Sequence, residues 1–422
     1  MYSSERALVG RAPVSVGRSR LVLAAVVFVV LFSQLLLYPG VSQLVAALGG
    51  DPDASPFAAT PLEASMWFLV AEFAAYVAFV GVWGVVSDAT GRRTPFIVAG
   101  AFAGALGYLA LAAAPSLGGD GVPFETVLLL RVFQGAMTIG AFSLTMTMLM
   151  DLEGGHGKNM GAAGIAIGLG AALGAPAGGQ LTALDPLAPL VVAGGLLLCV
   201  GALVAVVPDR APRERRTARA VLERVRRTPA LTIPFAFGLI DRMTAGFFAL
   251  VGTLYFQETF ALGPAETGLL LACFFAPFAV LQYPLGILSD RVGRTIPIVL
   301  GSVLYGVGIL GVSVAPTVAT AALAMVLVGV LGALISPATM ALVTDLVDDG
   351  GRGAAMAGFN LAGSVGFLAG FLVGGSVAST YGYEVAFLAV GGLEIAIALL
   401  ALPAFLRLSL ETTRQYGVSD DD

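Results

Sequence analysis

The chain has 422 residues and a formal net charge of −5; 58% of its residues are hydrophobic and 12% are charged. Soluble domains carry about 25% charged residues, so this chain has too few to cover a water-facing surface. Its single histidine, His156, excludes the two-histidine motif of zinc proteases, and Cys199 and Cys273 lie in apolar runs where we expect neither a disulfide nor a metal site.

A helix needs about 20 apolar residues to cross a bilayer, and twelve runs of this kind follow one another along the chain. We number them span 1 to span 12, and they cover residues 20–48, 62–87, 94–114, 124–150, 159–181, 187–208, 230–258, 265–288, 296–315, 317–344, 353–379 and 384–407. Proline, glycine and aspartate residues separate them, as is typical of turns. The sequence therefore predicts an all-α membrane protein with twelve transmembrane helices.

Basic residues concentrate on one side of these spans. They precede span 1 or follow even-numbered spans, at Arg6, Arg11, Arg18, Arg20, Arg92, Arg93, Lys158, Arg291, Arg294, Arg352, Arg407 and Arg414. The loops on the other side contain acidic residues and no basic residue. Because cytoplasmic loops carry the excess of Lys and Arg, we expect a multi-pass protein of the cytoplasmic membrane with both termini in the cytoplasm.

The longest loop between spans, residues 209–229, divides the twelve spans into two sets of six. With Pro208 it carries eight arginines against three acidic residues. Such a basic segment binds anionic lipid at the membrane surface, and its place between two spans argues against a nucleic-acid partner. We expect a first six-helix bundle in 1–208, a cytoplasmic basic linker in 209–229, and a second bundle with an acidic tail in 230–422.

One short phrase, G-x-x-x-D-x-x-G-R, occurs after span 2 and again, about half a chain later, after span 8. The two copies consist of Gly84, Asp88, Gly91 and Arg92, and of Gly286, Asp290, Gly293 and Arg294. Spans 5 and 11 also share a glycine pattern, at Gly170, Gly174, Gly178 and Gly179 and at Gly366, Gly370, Gly374 and Gly375. Duplication at half length within membrane spans is typical of transporters built from two similar halves.

The duplicated phrase resembles the loop signature of the major facilitator superfamily. The resemblance implies the fold of that superfamily, in which twelve transmembrane helices form two pseudo-symmetric six-helix bundles. It also implies a gating role for the eight signature residues: Asp88 and Asp290 would accept from helix N-termini of the opposite half and latch the outward-facing state. Ala89 stands where the family usually has arginine, which predicts a weaker latch in the first half.

Two further motifs are similar to those of proton-linked and exporting members of the superfamily. Arg131, Gln134 and Gly135 in span 4 match the R-x-x-Q-G pattern of proton-linked members. Span 5 matches the exporters' G-P-x-x-G-G only in part, because Pro176 is displaced by one residue. The resemblance therefore favours a proton-coupled antiporter that works in efflux.

Charged side chains inside the spans are costly and mark functional sites. Glu72 lies about 18 Å along a helix from Gly84, near the middle of the bilayer, where desolvation disfavours the charged carboxylate and lets it bind a proton. We assign Glu72, Arg131 and Asp241 to proton coupling. Glu394 in span 12 has two readings, as a structural residue or as a contact between helices or subunits.

Polar residues within spans could bind a solute in a central cavity. The candidates for substrate binding are Gln34, Tyr38, Gln134, Arg242 and Gln282. Pro39 and Pro284 predict hinges beside them. The aromatic residues Trp67, Phe73, Tyr76, Phe142 and Tyr255 could line an apolar pocket, although most membrane aromatics face lipid or pack between helices.

The sequence thus predicts a secondary active transporter of a small solute, with proton-coupled efflux as the favoured mode. The partners would be the solute, protons and membrane lipid; we expect a monomer without a cofactor. One alternative is an importer or uniporter of the same fold, in which the buried charges bind the solute. Another is a non-transporting membrane receptor. A membrane enzyme is disfavoured because the chain contains neither G-x-G-D nor G-x-S-x-G.

Overall fold

The computed structural model describes residues 16–49, 59–117, 122–153, 156–209, 228–348 and 351–416. Within these ranges the chain is helical and contains no strand. Eleven helices are long and apolar enough to cross a membrane, and the helix Ala188–Val204, with 17 residues, is shorter but equally apolar. The predicted fold class of twelve transmembrane helices is confirmed. The greater part of the basic linker, residues 210–227, lies outside the described residues.

The helices follow the predicted spans closely. In chain order they are Val16–Leu35 with Val41–Ala47, Pro61–Thr90, Thr94–Ala113, Phe124–Met150, His156–Leu184, Ala188–Val204, Thr232–Phe247 with Thr253–Phe260, Pro264–Val292, Thr295–Ser313, Val318–Asp345, Arg352–Tyr381 and Tyr383–Tyr416. Two spans, 1 and 7, each consist of two helices.

Span 1 is interrupted where the sequence predicts a hinge. The 3-10 turn Tyr38–Gly40 joins its two helices, since Pro39 cannot donate the backbone hydrogen bond that a continuous helix needs. Gly40 lies directly against Thr182 of span 5, so the turn also lets spans 1 and 5 approach closely. At Pro284 the helix Pro264–Val292 continues without a break.

Span 7 is interrupted without a proline. A π-helical turn, Phe248–Gly252, joins the helices Thr232–Phe247 and Thr253–Phe260. Single π turns inside α-helices are rare overall, but those that occur often lie at functional sites. This turn is not predictable from the sequence, since no residue type specifies it.

The second glycine of each signature copy allows the turn that follows the helix. Gly91 has φ of 65° and Gly293 has φ of 83°. These values lie in the left-handed region that glycine adopts without strain. Each of the two helices therefore ends at its signature, and the chain turns directly into the next span.

The repeated glycines of spans 5 and 11 lie against the first helix of their own set of six. A Cβ on Gly170 would lie 3.0 Å from the Cβ of Leu31 in span 1. A Cβ on Gly366 would clash with the carbonyl of Leu239 in span 7. Close approach of two backbones needs small residues, so the repeated pattern has the same packing role in both halves.

The last glycine of each set faces the opposite set of six spans. Gly179 lies directly against the carbonyl of Pro264 in span 8. A Cβ on Gly375 would lie 2.7 Å from the Sδ of Met66 in span 2. Spans 5 and 11 therefore connect the first six spans with the last six.

The two ends of the helix bundle differ. We call the end with the turns 90–94 and 292–295 the signature end, and the other, which carries residues 39–43 and 257–264, the far end. At the far end, the Gln257 side chain donates to the Pro39 carbonyl over 2.6 Å, and the Ser42 hydroxyl donates to Gln257 over 3.3 Å. These hydrogen bonds, together with the contacts of Gly179 and Gly375, close the far end between the two halves.

Candidate functional site

A fully buried ion pair joins spans 2 and 4. The guanidinium of Arg131 lies 2.5 Å from a carboxylate oxygen of Glu72, and neither side chain has any exposed surface. Arg131 also donates to the side-chain carbonyl of Gln134 over 2.5 Å. Both charged residues are candidates from the sequence; their direct contact is a finding of the structure.

The second carboxylate oxygen of Glu72 has its own donors. The Tyr76 hydroxyl and the Gln134 amide each lie 3.3 Å from it. Gln134 donates to Thr138 as well, over 2.9 Å. Both oxygens of Glu72 are therefore satisfied, as a buried carboxylate requires.

Two glycines allow this arrangement. A Cβ on Gly135 would lie 2.8 Å from the carbonyl oxygen of Glu72, and a Cβ on Gly107 would lie 2.7 Å from the Cβ of Gln134. Any larger residue would separate spans 2, 3 and 4 at the depth of the ion pair. The R-x-x-Q-G pattern thus supplies two polar ligands and the close contact that brings the carboxylate to them.

Aromatic rings cover the guanidinium of Arg131. Its Cζ lies 4.6 Å from the ring centre of Phe68 and 5.6 Å from that of Tyr108. A cation over an aromatic face is stabilised by about 2 kcal/mol when it is desolvated. Arg131 therefore retains favourable contacts when Glu72 is uncharged.

The ion pair is adjacent in sequence to the contact between spans 2 and 11. Phe73 follows Glu72, and its ring lies 5.2 Å from that of Phe367 and 5.1 Å from that of Phe371. Phe73 also packs against Tyr76, at 5.2 Å. One aromatic cluster thus connects a hydrogen-bond donor of Glu72 with the second set of six spans.

The predicted substrate-binding residues differ in their exposure. Gln34 and Tyr38 are buried, and Tyr38 packs 6.3 Å from the ring of Phe371. Gln134 does not face a cavity, because it is fully buried and its side chain binds Arg131, Glu72 and Thr138. Gln282 is half-buried, and the side chain of Arg242 is 35% exposed.

Asp241, the third residue assigned to proton coupling, lies apart from the Glu72–Arg131 pair in span 7. Its side chain is 7% exposed, and its carboxylate lies 4.0 Å from the guanidinium of Arg242. The charged ends of these adjacent residues therefore approach each other, although the two side chains differ in exposure. Arg242 also packs against Gly363 of span 11.

At the signature end the two aspartates lie at the surface. Asp88 is exposed, and its carboxylate has no partner in the described part of the chain. Nothing lies within 4 Å of a Cβ built on Gly84. Asp290 is exposed as well and pairs with Arg294 of its own turn. In this conformation neither aspartate contacts a described helix of the opposite half.

In each half, an arginine of the signature turn pairs with an aspartate of the same half. Arg294 donates to Asp345, at the end of span 10, over 3.1 Å. In the first half the equivalent contact is made by Arg93, which pairs with Asp151 at the end of span 4, while the signature residue Arg92 is exposed. The Arg93–Asp151 pair is not predicted from the sequence, since the motif contains Arg92 instead.

Arg93 also anchors the start of the linker. Its backbone amide lies 3.1 Å from each carboxylate oxygen of Asp209. A carboxylate at the first residues of a helix is favoured by the unpaired amides there. The contact fixes the end of span 6 to the turn between spans 2 and 3.

Two curated relatives resemble part of the chain. The uncharacterized MFS-type transporter MJ1560 of Methanocaldococcus jannaschii is 31% identical over 156 residues, which are 37% of this chain and 40% of that protein. The puromycin resistance protein pur8 of Streptomyces alboniger is 34% identical over 169 residues, which are 37% of this chain and 29% of that protein. The matches therefore span less than half the length of either relative.

Among solved structures, a bacterial homolog of the human lysosomal transporter Spinster, in an inward-facing and unoccupied conformation, has a similar fold. The TM-score is 0.75 at 12% identity, and the match covers 93% of this chain and 98% of that one. The sequence model of the Major Facilitator Superfamily matches residues 23–254 and again 235–420. Together these ranges include almost all of the twelve spans, and the chain therefore belongs to the Major Facilitator Superfamily.

Proposed function

We propose that this protein is a secondary active transporter of the cytoplasmic membrane that exports a small, partly apolar solute in exchange for protons. The observation that carries the proposal is the buried Glu72–Arg131 pair, since charged groups in a membrane interior are retained where they act. The solute, protons and lipid would be its partners, and we expect a monomer.

Glu72 is the proposed proton carrier. While Glu72 is ionised, its charge and that of Arg131 compensate each other, and four hydrogen bonds hold the network together. A proton on Glu72 removes that compensation, and loss of one partner of a buried pair costs about 3–5 kcal/mol. Protonation therefore favours a different packing of spans 2 and 4.

The aromatic cluster provides a route from Glu72 to the other half. Phe73 packs against Phe367 and Phe371 in span 11. A shift of span 2 relative to span 4 would therefore change the contact between the halves. This supports a mechanism in which the charge state of Glu72 biases the equilibrium between the two facing states.

The differing ends of the bundle support alternating access. The far end is closed by Gln257, Pro39 and Ser42, whereas Asp88 and Asp290 at the signature end are exposed. With the basic loops in the cytoplasm, this conformation faces inward. We propose that residues 1–208 and 230–407 rock against each other, tethered by the linker 209–229, and that both signature copies form the latch of the outward-facing state.

Export is favoured by the relative that is named a puromycin resistance protein. Resistance to a compound through a transporter requires that the compound leave the cell. The buried rings of Phe73 and Phe371 and the half-buried ring of Phe367 are suited to a solute with aromatic or apolar groups. The candidate hydrogen-bonding residues for this solute lie on spans 1 and 8 and are Gln34, Tyr38 and the half-buried Gln282.

A second candidate function, import or uniport of an anionic solute, is favoured by Arg242. Its side chain is 35% exposed and only partly neutralised by Asp241 at 4.0 Å. An accessible guanidinium binds carboxylate or phosphate groups through bidentate hydrogen bonds. In that mode, solute would move without proton exchange.

The test uses purified protein in liposomes with a trapped pH indicator and an imposed proton gradient. Puromycin, other lipophilic cations, sugars and organic acids are added in turn. We expect proton flux when a partly apolar solute is added, and none in protein-free liposomes. Movement of a radiolabelled organic acid without proton flux would replace it by the uniport alternative.

A further inference from the structure

A cavity of about 530 Å³ opens at the far end of the second half, and we call it the outer cavity. Its walls come from three places: the end of span 7 at Tyr255 and Thr259, the turn 313–315 between spans 9 and 10, and the turn 381–385 from span 11 into span 12. Pockets for small organic ligands usually measure about 300–1,000 Å³. The outer cavity therefore has the size of a site for such a ligand.

Three tyrosines line the outer cavity. The rings of Tyr255 and Tyr383 lie 5.8 Å apart and are inclined at 65°, so they form a corner rather than a stack. Tyr381, with 69% of its surface exposed, lines the same space, because Gly382 with φ of 87° turns the chain between the two helices. Aromatic ring faces attract cations, and aromatic cages recognise quaternary ammonium groups in this way.

The hydroxyl protons of two of these tyrosines already have acceptors. Tyr255 donates to the carbonyl of Ser313 over 3.0 Å, and Tyr383 donates to a carboxylate oxygen of Glu258 over 2.8 Å. These bonds hold the two rings in place before any ligand arrives, which lowers the cost of binding. They also leave ring surface rather than hydrogen-bond donors for the ligand, and this disfavours an anion.

The charge at the outer cavity is negative. Glu384 lines it, the carboxylate of Glu258 lies at the hydroxyl of Tyr383, and the described residues that line it include no basic residue. The loops at this end of the sequence also contain acidic residues and no basic one. A concave site lined by one sign of charge concentrates ions of the opposite sign. Rings and carboxylates together therefore favour an organic cation.

The outer cavity is separate from the contact between the two halves. Every described residue that lines it belongs to the second half. Tyr255 and Thr259 are four residues apart and share one face of the helix Thr253–Phe260, whereas Gln257 lies on the opposite face. On that face Gln257 donates to the Pro39 carbonyl of the first half. A ligand in the outer cavity would thus leave the closed contact between the halves intact.

We propose that the outer cavity is a binding site for a free organic cation of the quaternary ammonium class. Tyr255, Tyr381 and Tyr383 contact the cationic group, and Glu384 supplies the opposite charge. In the proposed orientation the site faces the outside of the cell and is open while the far end is closed between the halves. It is a second site beyond the proposed export route, and binding to it requires no transport.

The test measures whether a cation shields the outer cavity from a thiol reagent. Thr259→Cys is placed in a protein without Cys199 and Cys273, and the purified full-length protein in maltoside detergent reacts with uncharged N-ethylmaleimide. Benzyltrimethylammonium chloride is titrated at constant ionic strength. We expect it to slow the reaction in a saturable way, whereas benzyl alcohol, which has the ring but no charge, should slow it far less. Ala59→Cys, exposed at the far end of the first half, should react at the same rate throughout.

Matched variants locate the site. Tyr381 and Glu384 are exposed, so their substitution leaves the packed interior unchanged. Tyr381→Leu and Glu384→Gln should each weaken the protection by about threefold, as for loss of one exposed cation–π contact or charge pair. Tyr381→Phe keeps the ring and should protect like the parent. Asp185→Asn is the charge control, because Asp185 is exposed at the far end of the first half, and it should also protect like the parent.

The headgroup of a choline lipid presents the same chemistry as a free quaternary ammonium ion. Protection is therefore also compared in nanodiscs of phosphatidylcholine and of phosphatidylglycerol. A site for a free cation should show protection by benzyltrimethylammonium in both. Protection that is lost in phosphatidylcholine alone would assign the outer cavity to a lipid headgroup and overturn the proposal.

Three further outcomes would overturn it. One is absence of protection in the parent Thr259→Cys protein. Another is equal protection of Ala59→Cys, which would show a general effect of the cation on the reagent. The third is unchanged protection when Tyr381→Leu and Glu384→Gln are combined. None of these depends on whether the protein exports solute in exchange for protons, since no transport is measured.

Discussion

The carboxylate of Glu72 lies 2.5 Å from the guanidinium of Arg131, and both side chains are fully buried between spans 2 and 4. The pair is the most deeply enclosed charge contact in the described first half, and Phe73, the next residue, packs against span 11. Binding or release of one proton at Glu72 therefore changes the net charge of the pair. Because Phe73 is the adjacent residue, this change occurs next to the contact between the halves.

The guanidinium fork of Arg131 serves two acceptors, Glu72 and Gln134. Lysine keeps the charge but cannot donate in that planar geometry. Arg131→Lys is therefore expected to reduce proton-coupled flux by about tenfold, as for loss of one charged hydrogen bond worth about 1.5 kcal/mol. Flux in liposomes at matched protein content measures the effect, and flux equal to wild type would contradict it.

The stability of the pair can be separated from its role in transport. Arg131→Met alone leaves a buried carboxylate unpaired, which is expected to cost about 3–5 kcal/mol. Adding Glu72→Gln should recover most of that loss, because no uncompensated charge remains. Thermal unfolding of the single and double variants in detergent tests this. If the stability losses of Arg131→Met and Glu72→Gln simply add in the double variant, the two residues do not interact.

Gly135 is expected to tolerate no side chain. A Cβ there would lie 2.8 Å from the carbonyl of Glu72 and 3.1 Å from its Cα. Gly135→Ala should destabilise the protein by about 1–3 kcal/mol through overpacking and should impair coupled flux. Gly164→Ala in span 5 is the control, because nothing lies within 4 Å of its Cβ position. Equal Tm values for the two variants would contradict the contact.

Closure of the far end can be trapped by cross-linking Met66 to Ser376. The Ser376 hydroxyl lies 3.7 Å from the Sδ of Met66, across the two halves. We expect a short bifunctional reagent that forms a disulfide with each thiol to join Met66→Cys and Ser376→Cys and to stop transport, with recovery when these disulfides are reduced. The background lacks Cys199 and Cys273, and each single cysteine variant is the control. Full transport in the cross-linked protein would exclude rocking at this end.

The predicted orientation of the chain determines from which side of the membrane each end of the bundle can be labelled. Asp88 is exposed at the signature end and Ala59 is exposed before span 2, at the far end. In the same cysteine-free background, Asp88→Cys should react with a membrane-impermeant maleimide only from the cytoplasmic side. Ala59→Cys should react only from outside. The reverse pattern would invert the topology and, with it, the inward-facing assignment.

The sequence identifies the members of the buried pair but not the shell around them. Glu72 and Arg131 are recognisable because charged residues are rare inside apolar spans. The contacts of Tyr76 and Tyr108 with the pair are not recognisable, although Tyr76 is among the predicted pocket aromatics. A tyrosine in a membrane helix can equally face lipid, and only the packing of spans 2, 3 and 4 brings both near the pair. Gln134 belongs to this shell rather than to a solute cavity.

The fold follows from the sequence more completely than the local breaks do. Apolar length and turn chemistry predict the twelve spans, and Pro39 predicts the break in span 1. The π turn at Phe248–Gly252 and the uninterrupted helix at Pro284 are set by tertiary packing, which no single residue specifies. The Arg93–Asp151 pair likewise depends on the contact between distant turns.

The central claim is that Glu72 carries the coupled proton, and Glu72→Gln tests it most directly. In liposomes, gradient-driven accumulation and exchange of the same radiolabelled solute are measured side by side for wild type, Glu72→Gln and Glu63→Gln. Glu63 is the matched control, since it lies in the same helix but only at its first turn, near the far end. Our account predicts that Glu72→Gln abolishes accumulation and retains exchange, while Glu63→Gln keeps both. Undiminished proton-driven accumulation by Glu72→Gln would contradict it.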